Sequence, residues 1–366
     1  MARTTALCIF SNLLGNVSMT RLLVNALNHV PDLDPAYLIV EPEDYRRYPA
    51  PWWARLSDPW QAQFLARRKA AAELKKQYDF LWVYGWEMAV GFRNLARRVP
   101  AAVTLDTVPL TMDRQLRQRG LGGWKRTAAH QIHHRALRAA APAYRVWLPM
   151  TSDCAQSLQE DYGVQPGRCR VTLNPQDVDW WTPPPRRLAP PWRLLFVGND
   201  FQRKGGDRLM RLCSHHFSGG CTWTIVSNDP SFADRRLPPG VRWVRGATRE
   251  QVRQCYWESH LFVFPTMQDF APQVLAEAAS AGLPVLATNL GGIGNLVRHG
   301  ATGWLLPQGA SDEQWAEALR NMLSDPQRLR RMSLQARQFA EDRLDVRRFE
   351  RLVAEVVALL REPMQP

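Results

Sequence analysis

The 366-residue chain has no apolar run near the ~20 residues that a membrane-spanning helix needs. It also shows no charged-then-apolar leader at its start, so a cytoplasmic location is expected. Cysteine is scarce and scattered: Cys8, Cys154, Cys169, Cys213, Cys221 and Cys255, with no C-x-x-C pair. That pattern argues against a disulfide framework or a zinc site and fits free thiols in a reducing compartment; no metal is expected. Acids are also in short supply, 34 against 47 Lys plus Arg, a formal charge of +13. Such a balance favours polyanionic partners such as nucleic acid, an anionic lipid surface or phosphate-bearing substrates, unless it is simply an Arg-rich composition. No RNA-binding or helix-turn-helix pattern occurs, so no nucleic acid is expected.

The most informative stretch runs from Phe262 to Pro307, FVFPTMQDFAPQVLAEAASAGLPVLATNLGGIGNLVRHGATGWLLP. A short apolar run ending at Pro265 reads as a buried strand, VLAEAASA as a helix closed by Gly282 and Pro284, and Val285–Thr288 as the start of the next strand. Asp269 precedes the helix and Glu277 lies eight residues on, about two turns in. Both carboxylates can therefore reach one ligand lying along the helix start, and a nucleotide sugar suits them. A helix cap plus an ordinary surface Glu is the other reading of that spacing.

The stretch resembles the E-x7-E signature of family 4-type GT-B glycosyltransferases, the glycosyl transferases group 1. Pro265, Asp269, Pro272, Val274, Glu277, Ala278, Gly282, Pro284, Val285, Ala287, Thr288, Gly291 and Gly292 match it, as does Gly300-x-Thr302-Gly303-Trp304-Leu305-Leu306-Pro307. Asp269 is one methylene shorter than the usual Glu. Further back, Val146–Ser152 leads through a helix near Asp153–Tyr162 to Arg170–Asn174. This resembles the family's domain-junction passage, with Pro175 in place of a Gly. Gly198–Gly206, after a strand from Trp192 to Val197, resembles the family's G-R-x-x-x-x-K-G loop. There an Arg and a Lys clamp the donor diphosphate. Lys204 matches the Lys, Asn199 replaces the Arg, and Arg203 is the nearby second charge. Ala247-Thr248 would lie beside the nucleotide base.

The amino half resembles the family less closely. Ala6–Phe10 reads as a strand, followed by a turn with Gly15 and an apolar helix over about 17–29, an arrangement that would bring N–H groups to the diphosphate; a plain βα turn is the alternative. Ala102–Thr107 reads as a strand ending in Asp106, at the point where many relatives carry a His facing the donor sugar. Asp106 would then meet the anomeric centre, unless it only caps the next helix. Tyr45–Trp60, rich in Trp, Tyr, Pro and Arg, suits a membrane interface, a sugar-stacking loop, or a loop packed on its own domain. A basic helix is expected over 64–77, and another over 114–138, where Trp124 stands among Arg, Lys and His. The latter resembles the lipid-facing helix of membrane-associated GT-B enzymes, with a solvated basic helix as the alternative.

The resemblance implies an α/β fold of GT-B type: two Rossmann-like domains facing across a cleft, with the C-terminal helix crossing back to the first domain. The boundaries expected are an acceptor-binding domain over 1–174, a stiff Pro-rich linker over 175–192, a nucleotide-sugar domain over 193–345 and the returning helix over 346–366. It further implies a retaining, metal-independent sugar transfer from a UDP-sugar or GDP-sugar, with no other cofactor, to a glycan, a small molecule, or a lipid-linked or polysaccharide acceptor. Asp106, Lys204 and Asp269 would be catalytic. Gly15, Asn199, Arg203, Lys204, Glu277 and the N–H groups of Phe270, Ala271 and Gln273 would bind the donor. The departures at Asn199, Asp106 and Asp269 leave an alternative, a GT-B protein of impaired turnover acting as a binding or scaffold partner.

Overall fold

A computed structural model describes residues 3–12, 17–48, 50–51, 54, 57–118, 120, 124–217, 220–230 and 236–363. The chain divides into two compact units, residues 1–175 with 346–366 (unit 1) and residues 176–345 (unit 2).

Unit 1 holds five parallel strands: β1 (Thr4–Ser11), β2 (Leu33–Val40), β3 (Phe80–Tyr84), β4 (Ala101–Leu105) and β5 (Val146–Pro149). Their order across the sheet is β2-β1-β3-β4-β5. FLWVY in β3 and AAVTL in β4 are buried throughout, as continuous apolar runs must be where helices cover both faces of a parallel sheet. Two polar groups within these runs satisfy each other: the Trp82 indole N–H donates to Thr104 Oγ1 on β4 at 3.0 Å. The last helix, Val346–Arg361, belongs to unit 1. Phe349, Val353, Val356, Val357 and Leu360 form its buried stripe, and it packs on the helix Val17–Asn28 and on β4.

Unit 2 holds six parallel strands: β6 (Trp192–Val197), β7 (Cys221–Val226), β8 (Val241–Val244), β9 (Leu261–Phe264), β10 (Val285–Asn289) and β11 (Gly303–Pro307). The order β11-β10-β9-β6-β7-β8 reverses direction between β6 and β9. In an open α/β sheet the crevice at the carboxyl ends of two such strands is where ligands bind. Of the stretch 175–192, expected as a stiff linker, residues 176–192 belong to unit 2. Val178 and Trp181 are buried, and the Arg186 guanidinium donates to the carbonyls of Tyr256, Trp257, Ala281 and Gly282. Gln176 N donates to Leu344 O at 2.6 Å, so the two chain crossings leave side by side.

Two helix expectations change. The basic stretch 114–138 is not one helix: Pro109–Gln118 and Trp124–Ala140 are separate, packed against each other. Asp113 joins them, accepting from Arg117 Nε at 2.7 Å and lying 2.9 Å from His130 Nδ1. The helix expected over 64–77 runs over Asp58–Ala70, because Ser57 caps it and Pro59 fits its first turn; a single 3-10 turn, Glu73–Lys75, follows.

Candidate functional site

The loops after β6 and β9 meet at the point of strand reversal in unit 2. After β6 the chain makes a tight turn in which Lys204 N donates to Asp200 O and Gly206 N to Phe201 O. Three glycines permit this close packing. A Cβ on Gly205, whose φ is +80°, would fall 1.8 Å from Pro265 O, and one on Gly206 would fall 2.3 Å from the Phe201 ring. A Cβ on Gly198 would fall 2.6 Å from Lys204 Cδ, so that glycine leaves the lane in which the lysine lies.

Lys204 is thereby carried over the Phe264 ring, its Nζ 5.5 Å from the centroid and 3.6 Å from Asp269 Oδ2. Arg203 Nη1 lies 3.9 Å from the same carboxylate oxygen. These separations exceed hydrogen-bond length, so the acid balances the two cations without locking them. Arg203 is otherwise engaged: Nε donates to Asp200 at 2.6 Å and Nη1 to Gln268 O at 2.7 Å. Asp269 Oδ1 accepts from Phe270 N at 3.0 Å, so this N–H, expected to meet a sugar, is taken up by its neighbour. Gly292 N donates to Phe270 O and ties in the turn after β10.

The helix Gln273–Ser280 begins directly after Pro272 and has no side-chain cap. Ala271 and Gln273 sit at this start, and Glu277 lies one turn further along the helix. Glu277 keeps some surface, yet protein atoms crowd its carboxylate. Burial pushes its pKa up from the usual 4.5, against the pull of the Tyr256 hydroxyl, Lys204 and Arg249. Asn199, expected to bind the donor, also ties loops together. Its Oδ1 accepts from Asn228 N at 3.1 Å, and Asn228 Oδ1 from Gly246 N at 2.7 Å, which binds the loops after β6, β7 and β8 together. Thr248 caps the helix Arg249–Glu258 in a reciprocal box with Gln251.

Unit 2 thus gathers Asn199, Arg203, Lys204, Asp269, Phe270, Ala271, Gln273 and Glu277 at one sheet edge. Gly15 lies outside the described residues, as do residues 49, 52–53 and 55–56 of the Tyr45–Trp60 stretch. Trp60 of that stretch packs inside unit 1, edge-on to His133 at 5.4 Å. Asp106 stands just past the carboxyl end of β4, and the helix after it begins only at Pro109, so Asp106 is two residues short of the capping position. Its neighbour there escaped the sequence reading. Glu87, three residues after β3 and two after Gly85, is pushed up to about 7 by burial, with Asp106 adding to the rise. Gly85, at φ +104°, makes room for it, since a Cβ would fall 2.3 Å from Glu87 Oε1. A glycine and an acid straight after the all-apolar FLWVY run were the available signal. Among the described residues no three His, Cys, Asp or Glu side chains converge as a metal cluster.

Residues 231–339 match the model for "Glycosyl transferases group 1". A D-inositol 3-phosphate glycosyltransferase from Nocardia farcinica is 28% identical over 304 residues, 76% of this chain and 65% of that protein. The chain spans about half the length of two similarly named Rhodococcus relatives, 49% and 48%. Among solved structures, sucrose-phosphate synthase from Thermosynechococcus elongatus superposes with a TM-score of 0.77 at 14% identity, covering 98% of this chain and 99% of that one. HepE from Anabaena, solved in complex with UDP, gives 0.71 at 15% identity, covering 97% and 100%. The match to glycosyl transferases group 1 thus falls within unit 2, in a chain with the two-sheet α/β fold of the GT-B glycosyltransferases.

Proposed function

We propose that the chain is a glycosyltransferase that moves a sugar from a nucleoside-diphosphate sugar to an acceptor hydroxyl, with retention of anomeric configuration and without a metal. The observation that carries this reading is the loose meeting of Lys204 and Arg203 with Asp269, beside Glu277, at the strand reversal of unit 2. A diphosphate arriving here takes over the lysine's charge, and Asp269 is released to hold sugar hydroxyls. Arg203 shapes the loop and adds positive potential, Glu277 binds the ribose, and Ala271 and Gln273 offer N–H groups at the helix start. As the sugar–phosphate C–O bond breaks, Lys204 stabilises the charge on the leaving phosphate, a task that a metal performs in other enzymes. The acceptor oxygen bonds to the same carbon from the leaving-group side, and its proton passes to the departing phosphate. The family resemblance also gives Asp106, past the end of β4, a catalytic role.

The donor is tested by thermal shift against UDP, GDP, ADP and CMP, each with and without EDTA. A rise with one nucleotide, unchanged by EDTA, is expected, since a ligand of the native state stabilises it by mass action. No rise with any nucleotide would turn the reading toward a scaffold role, which Asn199 in place of an Arg already favours.

The acceptor reading rests on charge: with +13 overall, a phosphate-bearing acceptor fits, and the relatives named for inositol phosphate make that class the first to assay. Residues 114–138 give a second proposal, peripheral binding to an anionic membrane on the cytoplasmic side. Arg135 and Arg138 are exposed there with Ile132, whereas Arg114 and Arg117 are paired with Asp161 and Asp113. No helix among the described residues is long and apolar enough to cross a membrane. Sedimentation with anionic vesicles, lost in Arg135→Glu/Arg138→Glu and in high salt, is the expected result; equal binding by the variant would remove the proposal.

A further inference from the structure

Glu277 does not stand alone at the helix Gln273–Ser280. Its Oε2 accepts from the Tyr256 hydroxyl at 3.0 Å, and among the described residues Oε1 has no hydrogen-bond partner. Tyr256 comes from a different element, the helix Arg249–Glu258, and is fully buried. Its hydroxyl proton has a second acceptor within reach, Val274 O at 3.1 Å, one turn before Glu277. Burial holds the phenol well above its ordinary value of 10, so it remains a donor throughout the working range.

The ring of Tyr256 has little room to turn. Phe262 on β9 stacks against it, centroids 5.5 Å apart and planes 15° apart, and Trp181 meets it edge-on at 5.2 Å. Trp181 is itself pinned, donating from Nε1 to Gln176 Oε1 at 2.9 Å. The same Gln176 donates from Nε2 to Gln273 Oε1 at 2.9 Å, at the first residue of the helix that carries Glu277. Gln176 is therefore a strut with two ends, one on the helix start and one on the tryptophan that backs Tyr256.

We propose that Tyr256, braced by Trp181 and Gln176, is a positioning residue that holds the Glu277 carboxylate by one oxygen and leaves the other for a donor hydroxyl. The inference rests on the donor-binding role given to Glu277 above. A carboxylate in crowded surroundings must be both ionised and fixed in one rotamer to take a hydroxyl pair. The groups that bear on its charge are Tyr256 and Arg249 from the helix Arg249–Glu258 and Lys204 from the loop after β6. All three favour the ionised form, and burial opposes them. Removing the phenol hydroxyl leaves the burial in place and takes away one of the three. The protonated form of Glu277 then persists to higher pH, and the carboxylate loses its fixed rotamer.

The test is calorimetric titration of UDP into wild type, Tyr256→Phe, Gln176→Leu and Glu277→Gln from pH 5 to 8, with melting temperatures recorded alongside. For Tyr256→Phe we expect weaker UDP binding by about tenfold near the acid end, narrowing as pH rises, with the acid limb of the affinity profile moved to higher pH. In transfer assays the donor KM should rise by more than kcat falls. Gln176→Leu should show the same displacement more weakly, and it carries the test if Tyr256→Phe does not fold. UDP affinity in Tyr256→Phe equal to wild type at every pH would overturn the inference. So would an equal loss at all pH values accompanied by a lowered melting temperature, which marks a purely structural tyrosine. The donor reading fails separately: wild type then binds none of UDP, GDP, ADP and CMP, or Glu277→Gln binds the nucleotide as well as wild type does.

Discussion

In unit 2 the loops past β6 and β9 bring Lys204 and Arg203 up to Asp269, whereas in unit 1 the positions past β3 and β4 bring Glu87 up to Asp106. Both sheets are parallel and both change strand order once, so the backbone offers each the same kind of ligand-binding edge. Their charges differ in kind. Opposite charges meet in unit 2, while burial and a like charge in unit 1 drive Glu87 up to about 7. The comparison teaches that the few residues following the strands give one topology either an opposite-charge or a like-charge meeting. In both units a glycine beside the charged residue provides its space: Gly198 under the Lys204 stem, and Gly85 under the Glu87 carboxylate.

The comparison breaks most sharply at Lys204. Lys204→Ala removes the charge that the proposed function sets against a leaving phosphate and leaves Asp269 with Arg203. Transfer should fall by at least about a hundredfold in initial-rate assays, because one preorganised group on a developing anion is worth that much. Full activity in that variant would end the diphosphate assignment.

A smaller effect is expected from the unit 1 pair. Glu87 has an ordinary value of 4.5 and a folded value of about 7, so the fold favours its protonated form. Its contribution to stability is therefore complete below pH 4.5 and is lost as pH climbs through 7. Glu87→Gln should flatten that part of the stability profile in urea titrations between pH 4 and 8. Asp106→Asn should bring the titration of Glu87 back toward the ordinary range, because it removes the neighbouring negative charge. If neither variant changes the profile, the two carboxylates are not coupled and the contrast between the two edges loses its unit 1 half.

Much of the frame was legible in the residues. Parallel strands buried on both faces must be apolar throughout, and FLWVY and LFVF announce themselves for that reason. The motif positions Lys204, Asp269 and Glu277 were equally plain, being local runs whose turn glycines and helix start lie within a few residues. Less visible was the splitting of the basic stretch into two helices, since Asp113, which accepts from Arg117 and meets His130, sits within an uninterrupted basic pattern. Arg114 and Arg117 read as surface charge, yet each has an acid partner brought by the fold.

By itself, then, the order of residues determined the βα alternation, the glycine-lined turn ahead of Lys204 and the spacing of Asp269 and Glu277, because each depends on neighbours a few positions away. Only the tertiary structure decided what those groups lean on. Tyr256 reaches Glu277 across 21 residues, and Asn199 caps the turn at Asn228 across 29. Each pair is joined because a parallel sheet returns every strand to the same edge by a crossover. Which side chains meet there depends on the strand order, and strand order is not written in any local run of sequence.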